Sequence, residues 1–138
     1  MKKVFQRDVS LETGECMRAS IASILELDID EVPHFRQIER LGGKWLPELF
    51  GFLKKHGYEF RGTGTPNRHT MSECSGVDGY LCVAGPSGNL KGAGHMVVYS
   101  NDGKLVHDPN PNGGGILSVE YWWMIHRAGD PERVLRKN

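Results

Sequence analysis

The sequence predicts an α+β domain, and three observations carry that expectation. Apolar residues recur every three or four positions through the first half of the chain. After Gly57 the period changes to two, and an Asp102-Gly103 pair then separates two β-branched runs. Helices first and antiparallel strands afterwards are the pattern of an α+β fold.

The first predicted helix runs from Cys16 to Leu27, with Met17, Ile21, Ile24 and Leu25 on one face and Ala19 and Ala22 filling it. Thr13 and Gly14 precede it as start signals, and Glu12 and Glu15 suit the positive end of a helix dipole. Asp28 to Pro33 reads as a short helical turn stopped by proline. A second helix is expected from about Lys44 to Lys55, with Leu46, Leu49, Phe50 and Leu53 on one side. Pro47 falls in its first turn, and His56-Gly57 is its stop. Tyr58-Glu59-Phe60 opens a strand and Gly62 to Ser75 is loop. Tyr80 to Ala84 is a short apolar run of the kind found in central strands. Beyond the loop Pro86 to Gly94, His95 to Tyr99 and Lys104 to Asp108 form a hairpin around Asp102-Gly103. A last strand is expected over Ile116 to Ile125, and the charged tail from Arg127 is expected to fray.

The 138 residues suffice for one domain, 1–138, with a core of its own. Seventeen Lys+Arg balance 17 Asp+Glu, so no basic field speaks for nucleic acid or an anionic membrane surface. No run of 18 apolar residues can span a bilayer, and the N-terminal lysines have no apolar stretch behind them. Three cysteines, none spaced Cys-x-x-Cys, fit free thiols in a reducing, cytoplasmic setting.

One thiol has a chemical explanation. Cys16 stands at a predicted helix start, where unpaired N–H groups and the helix dipole favour an anion. His95 opens a strand after the lean loop Gly92-Ala93-Gly94, and Asp108 ends the partner strand. Pairing through a turn centred near Asp102 sets His95 opposite Asp108, so the carboxylate can orient the imidazole. A Cys-His-Asp set activates a thiol for acyl transfer. Alone, each residue has a blander reading, as buried thiol, structural histidine or turn-starting Asp-Pro. The hairpin spacing is independent of the cysteine, and that coincidence favours the chemical one.

Gly14-Glu15-Cys16 opening an apolar helix, Gly94-His95-Met96-Val97-Val98-Tyr99 and Val106-His107-Asp108-Pro109 together resemble the papain-like cysteine peptidase superfamily. The likeness is to its compact branch, which contains the double-glycine leader peptidases of bacterial exporters and related small phage and bacterial proteins. It spans residues 4 to about 110. The resemblance implies a helix carrying the nucleophile, packed on an antiparallel sheet. It implies Cys16 as nucleophile, His95 as general base, Asp108 as orienting carboxylate and Gln6 as oxyanion donor. Two positions depart from the family pattern: the Gln6–Cys16 spacing is ten, longer than usual, and Met17 follows the cysteine where a small residue is commoner.

The expected activity is hydrolysis of a peptide or isopeptide bond, with no cofactor and a peptide or protein as substrate. Amide or acyl transfer uses the same groups. A binding module that kept the scaffold without catalysis, or a redox or acyl-carrier thiol protein, are the rival classes. Oligomeric state is left open. Zinc held by His69, Cys74 and Cys82 is disfavoured because Cys82 lies in an apolar strand. The glycine loops lack the Gly-Lys-Ser/Thr and following helix that nucleotides require. His107 points to the other face from Asp108, as a surface or second-layer residue, and is the fallback base. Of Trp122 and Trp123, one must leave the core, where an exposed indole would mark a partner surface.

Overall fold

The alternating apolar pattern after Gly57 closes five strands into one sheet, while the helices of the first half cover one of its faces. The computed structural model describes residues 1–10, 14–62, 70–74 and 76–129. Helices α1 (Cys16–Leu25), α2 (Phe35–Arg40) and α3 (Trp45–Lys55) precede strands β1 (Tyr58–Gly62), β2 (Tyr80–Pro86), β3 (Gly94–Ser100), β4 (Leu105–His107) and β5 (Tyr121–Arg127). The strand order is β1-β5-β2-β3-β4, with every pair antiparallel. The chain is α+β, with no helix among the described residues long and apolar enough to cross a membrane.

Period-two alternation gives the sheet two buried faces. Cys82, Ala84, Met96, Val98, Trp123 and Ile125 meet Ile21, Ile24, Leu49 and Leu53 of the helices in the main core. The intervening residues Leu81, Val83, Val97 and Met124 form a second cluster with Cys74. Each fully buried Ile, Leu or Val contributes about 2 kcal/mol by leaving water. The main cluster therefore fixes α1 on the sheet, and with it the position of Cys16.

Several boundaries differ from those the pattern predicts. Helix α1 stops at Leu25, not Leu27, because Glu26 takes the left-handed conformation (φ 58°) and its N–H joins the Ala22 and Ser23 carbonyls. The reversal returns Leu27 to the core. The Asp28–Pro33 turn is a 3₁₀ turn over Ile29–Glu31, with the Asp28 N–H donating to Glu31 Oε2 at 3.1 Å. Helix α2 has no signal in the periodicity, since Phe35 is its one buried residue. In α3 the inward face is Leu49, Phe52 and Leu53, whereas Leu46 and Phe50 are exposed. Phe50 packs instead on Phe60, which in turn meets Trp123.

The last strand begins at Tyr121, five residues later than the alternation suggests. Residues 116–120 run beside the end of β2 through a Ser87–Ile116 bridge and the Leu117 and Glu120 N–H groups. Gly85 permits this crossing, since a Cβ there would fall 1.8 Å from the Ser118 carbonyl oxygen. Of the two tryptophans, Trp123 enters the main core while Trp122 lies on the opposite face. There it is half-buried against the second cluster and its Nε1–H donates to Cys74 Sγ at 3.5 Å. No exposed indole results. Glu12, Thr13, His69, Ser75 and the tail beyond 129 lie outside the described residues.

Candidate active site

Cys16 is the first residue of α1, as its place ahead of an apolar helix predicts. The opening N–H groups of any helix lack partners within it, and at this end of α1 they stand beside Cys16. Gly14 lets the chain enter that position, because a Cβ there would lie 2.6 Å from the Ser10 carbonyl oxygen. The thiol is half-buried and the other two are fully buried. Burial pushes the Cys74 and Cys82 thiols up, so neither is a ready nucleophile at neutral pH.

His95 Nε2 lies 2.7 Å from Asp108 Oδ1, and both side chains are nearly buried. The ladder register that the sequence predicts is not the one that forms. A bulge between Val98 and Tyr99 pairs Val98 with His107 and Tyr99 with Leu105, and the partner of His95 in the sheet is Gly85 on β2. Asp108 lies one residue past the end of β4 and is turned back to His95. Its Oδ1 also accepts from the Asn110 N–H at 2.9 Å, and its Oδ2 from the Gly115 N–H at 2.7 Å. With Nε2–H donating to Asp108, the tautomer is set and Nδ1 is left as the acceptor. Burial works against protonating His95, but the influence of neighbouring Cys16 and the hydrogen bond to Asp108 outweigh that and raise its pKa from the ordinary histidine value.

Gln6 is buried, and its Nε2–H donates to the Asp8 carbonyl at 3.1 Å. A second N–H on Nε2 remains, and Oε1 is buried without a partner among the described residues. A Cβ on Gly14 would lie 3.8 Å from Nε2, so the amide abuts the residues just ahead of the cysteine. The Gln6 N–H donates to the Pro109 carbonyl at 2.8 Å, which joins this segment to the turn carrying Asp108. The long Gln6–Cys16 spacing therefore does not separate the two residues.

Glu15, which the sequence offers only as a complement to the helix dipole, is almost fully buried. Its Oε1 accepts from the N–H groups of Arg7 and Asp8 at 3.1 and 3.0 Å. Its Oε2 meets Arg7 Nη2 at 3.3 Å and Arg18 Nη1 at 2.8 Å. Burial alone would raise its pKa, but the Asp8 N–H and the two guanidinium groups lower it below 4.5.

Gln6, Cys16 and His95 line one cleft of about 720 Å³. The lining is rich in aromatic residues, among them Phe35, Trp45, Phe60 and Tyr121, and also includes Met17. Asp108 stands behind His95, outside the cleft lining. Among the sequence-predicted site residues the structure brings Gln6, Cys16, His95 and Asp108 together. His107 is excluded from the cleft, buried with its Nε2 2.7 Å from the Val4 carbonyl oxygen and its ring against Phe5. No group of three or more metal-ligating side chains occurs among the described residues. Glu15 and the aromatic lining of the cleft are the features sequence reasoning missed. An acidic residue at a helix start and scattered aromatics carry no distinctive spacing. Comparison with protein-family models, curated proteins and solved structures gave no match to this chain.

Proposed function

We propose that this chain is a papain-like cysteine hydrolase that cleaves a peptide or isopeptide bond. The observation that carries the reading is the His95 ring. One nitrogen is committed to Asp108 at 2.7 Å, and the same ring shares one cleft with Cys16 at the helix start. A structural histidine needs neither a thiol beside it nor an open cleft in front of it.

The chemistry follows from these positions. Nδ1 of His95 takes the Cys16 proton as Sγ bonds to the carbonyl carbon, giving a tetrahedral oxyanion. The second side-chain N–H of Gln6 and the backbone N–H of Cys16 face that charge. Collapse breaks the C–N bond, and the imidazolium returns the proton to the leaving amine. Water, deprotonated by His95, then attacks the thioester and releases the acid and the thiol. Asp108 fixes the tautomer throughout. The aromatic residues of the cleft lining suit a substrate segment with a large apolar side chain.

The test is an acyloxymethyl ketone carrying an acetyl-phenylalanyl group, which alkylates activated cysteines with loss of carboxylate. The expected result is one adduct, on Cys16, lost in His95→Ala. Labelling that is absent, or unchanged in His95→Ala, overturns the proposal.

A further inference from the structure

We propose that Glu15 is a positioning residue for the reaction, holding the Gln6 amide in register with the Cys16 thiol. The inference rests on the catalytic reading above and assigns a role to a carboxylate that takes no part in proton or acyl transfer. Three observations carry it. Glu15 immediately precedes Cys16 and is only 4% exposed, an unusual place for a carboxylate with no task. Both backbone N–H groups following Gln6, those of Arg7 and Asp8, converge on its Oε1. The clamp is reciprocal, because the Glu15 N–H donates to the Asp8 carbonyl at 3.1 Å. That carbonyl is also the acceptor of the Gln6 side chain. The oxyanion donor, the peptide that holds it and the residue before the nucleophile are thus one hydrogen-bonded unit.

The charges around Glu15 complete the clamp. Arg7 bridges Glu15 and Asp30, with Nη2 2.9 Å from Asp30 Oδ1. Arg18 bonds Glu15 from within α1, approaches Asp30 at 3.7 Å, and ties its Nε–H to the Val32 carbonyl at 2.7 Å. The N-terminal segment, the start of α1 and the turn after it are held at one point. A device of this kind replaces the shorter spacing that would otherwise fix a glutamine against the cysteine. Displacing an oxyanion donor by about 1 Å weakens stabilisation of the tetrahedral state far more than it alters the thiol itself.

Two probes separate these effects. Iodoacetamide alkylates Cys16 and reads the thiol alone. Acetyl-phenylalanyl-glycinal adds the thiol across its aldehyde, forming an S–C bond while the thiol proton passes to the new oxygen, and so reads the oxyanion site as well. In Glu15→Gln, aldehyde affinity falls about tenfold while the alkylation rate stays within about threefold. In a Gln6→Ala background, Glu15→Gln causes no further loss, because the donor it positions is gone. Equal losses with and without Gln6 overturn the positioning role and leave the catalytic reading standing. A wild-type protein that binds no aldehyde overturns both. Should Glu15→Gln fail to fold, Arg7→Met decides by the same comparison, since it removes one cation of the clamp from a half-exposed side chain. A Gln6-dependent loss supports the role, and unchanged affinity overturns it.

Discussion

Asp108 reaches His95 at 2.7 Å from beyond the end of its strand, although the two residues are not partners in the sheet. Two backbone N–H groups, from Asn110 and Gly115, hold the carboxylate in that reach. The orientation of His95 therefore depends on a glycine-rich turn as much as on the hairpin.

If Asp108 sets the tautomer, Asp108→Asn lowers kcat about 10²–10⁴-fold with little change in KM. The folded-state pKa of His95 lies above 6.5, so its charged form adds stability that is complete below pH 6.5 and fades as pH rises through the folded value. Imidazole NMR titration should place the wild-type midpoint above 6.5 and the Asp108→Asn midpoint lower. An unchanged midpoint contradicts the coupling.

Replacing Gln6 by alanine removes a side-chain donor but leaves its backbone bond to Pro109 intact. The expected outcome is a fall in kcat of about 10²-fold, with the melting temperature nearly preserved. A loss confined to KM would mean that Gln6 binds the ground state instead.

Glu15 gives a pH signature of the opposite sign to His95. Its folded pKa is lowered, so its contribution to stability is present above pH 4.5 and disappears as pH falls through the folded value. The groups facing it are Arg7, Arg18 and, through them, Asp30. Glu15→Gln should cost about 2–4 kcal/mol at pH 7, as breaking a buried ion pair does. Urea denaturation at pH 7 and pH 3.5 tests this, with a smaller difference expected at the acid value.

Gly85→Ala places a methyl group against the Ser118 carbonyl oxygen and must displace residues 116–120. A cost of about 2–3 kcal/mol in equilibrium denaturation is expected, larger than a surface glycine substitution gives. A neutral result would show that this segment yields freely.

The fold class and the placing of Cys16, His95 and Asp108 were legible because periodicity and turn chemistry are local. Met17, Ile21 and Ile24 repeat at helical spacing whatever they pack on, and Asp102-Gly103 marks a turn by itself. Register was not legible, because the Val98–Tyr99 bulge depends on how β4 meets the rest of the sheet. Helix α2 was hidden for a related reason, as one buried Phe35 makes no pattern. Phe50 reads as core by spacing, yet it lies outside because Phe52 takes the inward position. Glu15 was the largest omission at the site. Its partners are backbone N–H groups of residues seven and eight positions earlier, a relationship that composition and spacing do not encode.

The most direct measurement is the rate of Cys16 alkylation by iodoacetamide at pH 6, in the wild type and in His95→Ala. Cys74 and Cys82, both buried with their thiols pushed up, serve as inert references within the same molecule. Activation by His95 predicts a wild-type rate at least about tenfold above that of a free thiol, falling by a similar factor in the variant. Equal rates in the two proteins would contradict it.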